Sequence, residues 1–295
     1  MQTSINFLDN YDFGSLTGYK TKGLVRYYKQ TSSKQELIEI IKYATKHNLP
    51  IVACGGGSNI LIKDVFNGVF VFYSSSVIEK TSEISTHVFV SADAGVSKKE
   101  LVKYCSRYGY SGLEFWSGIP GFTGGGVAMN CGAYSSQTQD CVHEIELYSA
   151  NGVYCVSAKN MKWAYRSSGF STGDVITSCV FKLKKDDPKK VKTLSLEYIK
   201  DREEKHPLEY PSCGSVFKNP SVSLEGCTKG AWELIRDAGL SGFKVGGAMV
   251  SPKHTNFIIN SGGANPSDVI KLIEEIKIKV KQKFNIQLHE EVKIL

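Results

Sequence analysis

Residues 109–132 read GYSGLEFWSGIPGFTGGGVAMNCG, eight glycines in 24 positions of a 295-residue chain that has 28 in all. Glycine has no side chain to bury and costs backbone entropy to order, so such a density builds no core. It suits main chain that must come very close to a guest and offer its own N–H groups, and several N–H groups converging on one point bind an anion. A second cluster, Gly55-Gly56-Gly57-Ser58-Asn59, has the same character, and Asn59 and Asn130 bring amide donors to the loop ends. Together the two stretches point to a large, flat, anionic ligand, a dinucleotide cofactor held at its pyrophosphate. The plainer alternative is a pair of tight turns at sheet edges. The two commonest phosphate loops do not fit: neither cluster spells G-x-G-x-x-G, and no Walker sequence is present. A strand pattern also follows the first cluster, where a Rossmann loop would open a helix.

Three side chains stand out beyond the glycines. Arg166 follows Trp163 and Tyr165 just past a predicted hairpin. A guanidinium fork matches a carboxylate bidentately, although a lone arginine is ordinarily a solvated charge. The segment Ser212-Cys213-Gly214-Ser215-Val216-Phe217-Lys218-Asn219-Pro220 leads small residues into a serine, a lysine and an asparagine. It lacks the G-x-S-x-G elbow of a hydrolase and by itself reads as a turn. Glu291 by itself reads as a surface carboxylate. The six histidines have no metal-ligand spacing, and no metal is expected.

Composition narrows the class. Hydrophobic residues at 41% and charged residues at 22% describe an ordinary globular chain, long enough for two or three domains. The net charge of +7 suits phosphate-rich ligands. The lysines form no basic stripe with a docking motif, so nucleic acid is not expected as the partner. The eight cysteines never form Cys-x-x-Cys, and neither an export signal nor an apolar run long enough to span a bilayer is visible. A cytoplasmic, monomeric protein away from membranes is the expectation.

The patterning supplies the elements that must position these residues. Ser33-Lys34-Gln35-Glu36 and Ser97-Lys98-Lys99-Glu100 predict capping boxes opening helices, the second ending at Gly109. Strands are predicted at Leu49–Cys54, Ile60–Ile62, Val69–Phe72 and His87–Ser91, with Asn67-Gly68 as a turn. Residues 143–184 alternate like antiparallel strands around an Asn151-Gly152 hairpin turn. The polar run Lys182–Lys192 reads as a domain boundary. Beyond it, helices are predicted over Lys229–Ala238 and from Pro266, the latter with an apolar face at Val269, Ile273, Ile276 and Val280. The last stretch, Ile286–Leu295, alternates as a strand with Glu291, His289 and Lys293 on one face.

In order along the chain, several pieces resemble the UDP-N-acetylenolpyruvoylglucosamine reductase family. They are GGGSN at Gly55, Asp64 with Gly68, Gly112-Leu113-Glu114, Gly118-Ile119-Pro120-Gly121, Met129 to Tyr134, and Tyr165-Arg166. The C-terminal half adds Gly214-Ser215 with Phe217-Lys218-Asn219-Pro220, Val250-Ser251 with His254, Phe257 to Asn260, and Glu291-Val292. The resemblance covers essentially the whole chain. It implies an α+β protein with a two-part FAD-binding domain of the vanillyl-alcohol-oxidase (PCMH) type over residues 1–188, divided near 74. A smaller α/β domain over 189–295 would close on the UDP-sugar. It implies non-covalent FAD, NADPH as hydride donor and UDP-N-acetylglucosamine enolpyruvate as substrate, reduced to UDP-N-acetylmuramate. It makes Arg166, Ser215 and Glu291 the catalytic set, with Glu291 protonated through a raised pKa. The cofactor falls to Gly55, Gly56, Gly57, Ser58, Asn59, Gly118, Ile119, Pro120, Gly121, Gly124, Gly125, Asn130 and Gly132. Tyr165, Arg202, Lys205 and Asn219 are left for the substrate. The short spacing from Arg166 to Ser215 resembles the family class without an inserted substrate-covering segment. The chain departs from the family at Ser117 and Gly126, where alanine is common, at Phe122-Thr123, where Thr-Val is common, and at Ser135, where glycine is common. The rival readings are another FAD oxidase of similar fold and a non-enzymatic nucleotide- or RNA-binding protein.

Overall fold

A computed structural model describes residues 5–170, 173–220 and 227–295. Its contacts divide the chain into two compact units that are not continuous in sequence. One comprises Met1–Asp9, Arg26–Gly55 and Asn67–Arg202, the other Asn10–Val25, Gly56–Phe66 and Glu203–Leu295. The expected boundary at 188 is the first residue of a helix, Pro188–Lys205, within which the two units meet in sequence.

The first unit is built on an antiparallel sheet in the order Gly152–Ser157, Val142–Ser149, Val175–Lys185, His87–Asp93, Ile78–Glu83. Alternation along the central strand buries Val175, Cys179, Phe181 and Leu183 against Val88, Val90, Leu101 and Trp116. Helix Lys98–Tyr108 opens on the predicted capping box, and Gly109 ends it in the left-handed region at φ 69°. Most of a four-stranded sheet belongs here too, in the order Leu8–Asp12, Leu24–Thr31, Val65–Tyr73, Ile51–Ala53. Helix Lys34–Lys46 carries half of its predicted capping box. Ser33 Oγ accepts from the Glu36 N–H at 3.2 Å, but the Glu36 carboxylate pairs with Lys29 at 2.9 Å.

Three sequence expectations need correction. Asn67-Gly68 makes no turn: it lies inside the continuous strand Val65–Tyr73, neither residue has a positive φ, and Asn67 Oδ1 accepts from Arg26. The tight turn of the later hairpin is Ala150-Asn151, because Ser149 pairs with Gly152. Helix Pro188–Lys205 was read as a polar boundary. Only Val191 and Ser195 on it are buried, so it lacks the apolar stripe that marks a helix, although Asp187 Oδ1 accepts from the Lys189 N–H beside Pro188 at N1.

The second unit packs helix Pro266–Phe284 and helix Ala231–Asp237 on the small antiparallel sheet Lys244–Val245, Ala248–Val250, Ile258–Asn260. The long helix starts on a reciprocal cap, Asn265 with Asp268, and buries Val269, Leu272, Ile273, Ile276 and Val280. Each such side chain contributes about 1.5–3 kcal/mol by leaving water. The predicted C-terminal strand is shorter than its alternation suggests: Lys293–Ile294 pairs in parallel with Ile60–Leu61, and Glu290 adds an isolated antiparallel bridge to Phe217. Leu288 and Val292 point inward, while Ile294 is exposed.

An alanine at Gly109 would be held at positive φ with its Cβ 2.2 Å from the Asp186 carbonyl oxygen. Gly109→Ala is expected to destabilise the protein by at least about 1–2 kcal/mol in denaturant unfolding. An unchanged midpoint contradicts the need for glycine there.

Candidate functional site

Backbone donors are the common feature of the glycine stretches. From Gly55 to Asn59, five consecutive N–H groups donate to no acceptor among the described residues. The loop is nonetheless held. Gly57 turns through φ 61°, and its carbonyl accepts from the Gly18 N–H at 3.1 Å and the Ile60 N–H at 3.4 Å. Asn59 gives its amide to the Glu291 carbonyl at 3.1 Å, so its side chain anchors the loop.

In the second stretch, Gly118 to Phe122 form a turn that leads into the short helix Thr123–Ala128. The N–H groups of Gly118, Gly121, Phe122 and Gly125 again have no acceptor among the described residues, and a Cβ on Gly125 would meet nothing within 4 Å. Ile119 and Gly124, also expected at the cofactor, have their N–H groups engaged within the protein. Ile119 N–H goes to the Trp116 carbonyl and Gly124 N–H to the Ala94 carbonyl, both at 3.0 Å, so they shape the turn. Pro120 has no N–H, and its carbonyl accepts from Lys98 Nζ at 2.9 Å. Phe122 packs on Phe72 at 5.0 Å and comes within 2.9 Å of where a Gly55 Cβ would be.

Asn130 is also part of the frame. It is fully buried, and its amide donates to the Ala164 carbonyl at 3.1 Å, Gln139 Oε1 at 2.8 Å and Gln137 Oε1 at 3.3 Å. Its oxygen accepts from the Gln139 N–H at 3.0 Å. The carbonyl it holds belongs to a two-residue turn, Tyr165-Arg166, closed by paired bonds between Ala164 and Ser167. Arg166 takes φ 58°, lies 4.8 Å over the Tyr165 ring and donates Nη2 to the Gly132 carbonyl at 2.9 Å. A Cβ at Gly132 would lie 2.8 Å from the Ser136 carbonyl oxygen and 3.2 Å from Arg166 Nη1, so both approaches are close there.

In the second unit the structure brings Ser215 and Glu291 close in the fold. Asn256 accepts from the Phe217 N–H and donates to its carbonyl, and the Asn256 carbonyl takes the Val216 N–H at 2.8 Å. The Val216 carbonyl then receives the Glu291 N–H at 2.7 Å. Asn219 Oδ1 accepts from the Ala231 N–H at 3.0 Å, so it caps the helix Ala231–Asp237. Lys205 is exposed at the end of its helix.

Arg202, one turn before Lys205 on helix Pro188–Lys205, is the last residue of the first unit. Its Cδ lies 2.9 Å from where a Gly118 Cβ would stand. Burial lowers its pKa, and Nε has no acceptor among the described residues. Tyr134 nearby donates to Asp201 at 2.9 Å and stacks on Tyr198 at 3.8 Å. Burial and then the Asp201 bond push its pKa up to about 12. Tyr134 and Ser135 both take positive φ, which accounts for the usual glycine at the second position. Two framing residues escaped sequence reading, Lys98 and Asn256. Lys98 looked like one more exposed helix lysine, and Asn256 carries no motif of its own. A separate cavity of about 590 Å³, lined by His87, Glu114, His143, Lys182 and Lys184 among others, contains none of the predicted site residues. Among the described residues no group of His, Cys, Asp or Glu could hold a metal, and no helix is long and apolar enough to cross a membrane.

Comparison with known proteins follows the same division. Residues 25–157 match the FAD binding domain family, and residues 206–295 match the C-terminal domain of UDP-N-acetylenolpyruvoylglucosamine reductase. The chain is 36% identical to the UDP-N-acetylenolpyruvoylglucosamine reductase of Syntrophomonas wolfei over 95% of its own length and 91% of the relative's. It is 37% identical to that of Exiguobacterium sibiricum over 94% and 88%. The crystal structure of the Thermus caldophilus UDP-N-acetylenolpyruvylglucosamine reductase superposes with a TM-score of 0.78 at 26% identity, covering 99% of this chain and 98% of that one.

Asn130→Ala removes the hydrogen bonds of a buried amide to Ala164, Gln137 and Gln139, partners that are themselves half-buried or exposed, at a net cost of about 0.5–1.5 kcal/mol each. It is expected to lower the melting temperature of the cofactor-free protein and to loosen the Arg166 turn. A melting curve that overlays the wild type contradicts the clamp.

Proposed function

The chain belongs to the UDP-N-acetylenolpyruvoylglucosamine reductase family, and from that premise we propose that it is an FAD-dependent oxidoreductase of peptidoglycan precursor synthesis. It uses NADPH to reduce the enolpyruvyl ether of UDP-N-acetylglucosamine enolpyruvate to UDP-N-acetylmuramate. The observation that carries the cofactor part is the run of five N–H groups from Gly55 to Asn59 without protein acceptors among the described residues. Main-chain donors of this kind suit a diphosphate. Gly118, Gly121 and Gly125 add donors of the same sort. The net charge of +7 suits a cofactor and two substrates that are all anionic. The relatives favour neither the oxygen-using oxidase nor the RNA-binding alternative. A cytoplasmic, monomeric enzyme is part of the same reading.

When bound, FAD supplies the two-electron carrier between NADPH and the vinyl ether. As a C–H bond forms at the methylene carbon, negative charge builds on the adjacent carbon and spreads into its carboxylate. A cation aimed at that carboxylate stabilises the transition state more than the ground state. Arg166 takes this role, its fork oriented by the Gly132 carbonyl and the Tyr165 ring. A protonated Glu291 supplies a hydrogen-bond donor to the same charge. Ser215 gives its hydroxyl proton to the adjacent carbon and is reprotonated through solvent. A serine hydroxyl is a weak acid, so its position matters, and Ser215 follows Gly214 at φ 76° and pairs with Phe257 across an antiparallel bridge. Lys205, Asn219 and Tyr165 are assigned to the diphosphate, uridine and sugar portions.

The purified protein should be yellow, and NADPH should bleach it anaerobically. Ser215→Ala is expected to leave that bleaching intact while slowing recovery of colour on adding the UDP-sugar by roughly 10²- to 10⁴-fold. Equal slowing of both steps removes Ser215 from the proton-transfer role, and a colourless protein that takes up no FAD removes the reading as a whole.

A further inference from the structure

Lys98 directly follows the Ser97 cap as the first residue of its helix, a place usual for a solvated lysine, yet it is only 6% exposed. Its ammonium donates to the Pro120 carbonyl at 2.9 Å and lies 5.8 Å from the centre of the Trp116 ring. The Lys98 N–H donates to the next carbonyl of the same turn, that of Gly121, at 3.0 Å. No carboxylate among the described residues forms an ion pair with it. The nearby charged group that acts on it is a second cation, Arg202, which packs under Gly118 at the start of the turn.

Space for this lysine is made by a glycine. A Cβ at Gly126 would lie 2.8 Å from Lys98 Cε and 2.9 Å from Trp116 Cζ2. A buried cation without a counter-charge is unfavourable, and burial does lower the Lys98 pKa. A second cation nearby adds to the penalty. An arrangement of this kind is relieved by an anion arriving at the turn, whose Gly118, Gly121 and Phe122 N–H groups have no acceptor among the described residues.

We propose that Lys98 is a positioning residue whose buried positive charge, beneath Pro120 and in the space left by Gly126, strengthens the hold of the Gly118–Phe122 turn on the anionic cofactor. This rests on the FAD reading above. If Lys98 instead only props the turn, its hydrogen bond and its volume matter and its charge does not.

The two roles separate in cofactor-free, full-length protein titrated with FAD, with thermal melts of the same samples. Lys98→Met keeps the volume and removes charge and donor; Lys98→Gln keeps a donor for Pro120 and removes the charge. Exchanging a buried charge for an apolar group of similar volume is often neutral or stabilising. Both variants are therefore expected to melt at or above the wild-type temperature and yet bind FAD roughly tenfold or more weakly, the scale of one charge pair about 12 Å apart at an effective dielectric of about 20. Wild-type affinity in either variant overturns the proposal. So does an affinity loss that accompanies a lower melting temperature, or failure of both variants to fold, because each makes Lys98 structural. Failure of the wild type to bind FAD is a different result and counts against the cofactor reading.

Discussion

A cradle of main-chain N–H groups works only if those groups are kept from the protein's own carbonyls. An unpaired amide is unfavourable when buried, and a loose loop turns its donors inward or toward each other. The Gly118–Gly125 stretch meets this constraint by fixing every neighbouring group. The Ile119, Thr123, Gly124 and Gly126 N–H groups are bonded to Trp116, Val96, Ala94 and Phe122, and Lys98 takes the carbonyls of Pro120 and Gly121. What remains available is what a bound anion needs.

The same economy recurs around the proposed catalytic residues. Arg166 sits at a strained φ on a two-residue turn, held by Asn130 through Ala164 and approached closely by Gly132. Ser215 and Glu291 are set by Asn256 and by the main-chain bond from Glu291 to Val216, with Asn59 adding a tie from the first glycine loop. Several polar side chains in these segments also hold other loops in place. Asn59, Asn130 and Asn219 all bond to backbone. Asparagine is apt for this, since one amide can both accept and donate.

Capping chemistry is local, and so it was legible. The Ser97–Glu100 box, Gly109, Asn265 with Pro266, and the apolar face from Val269 to Val280 appear where the residues place them. Helix Pro188–Lys205 was not legible, because a helix with two buried positions leaves no periodic signal. Asn67-Gly68 misled for the opposite reason: the dipeptide favours a hairpin turn in isolation, but pairing on the strand Val65–Tyr73 overrode it.

By itself the sequence pointed to backbone donors for an anionic ligand, because glycine density and motif order are properties of the chain as written. It likewise determined the family, through pieces too weak singly but specific in order. Only the tertiary structure decided which amides stay available, which asparagines bond to backbone, and that a buried Lys98 and a half-buried Arg202 lie beside one turn. Those outcomes depend on contacts between residues tens of positions apart. Whether a carbonyl of one segment meets a donor of another is set by packing, which no local pattern encodes.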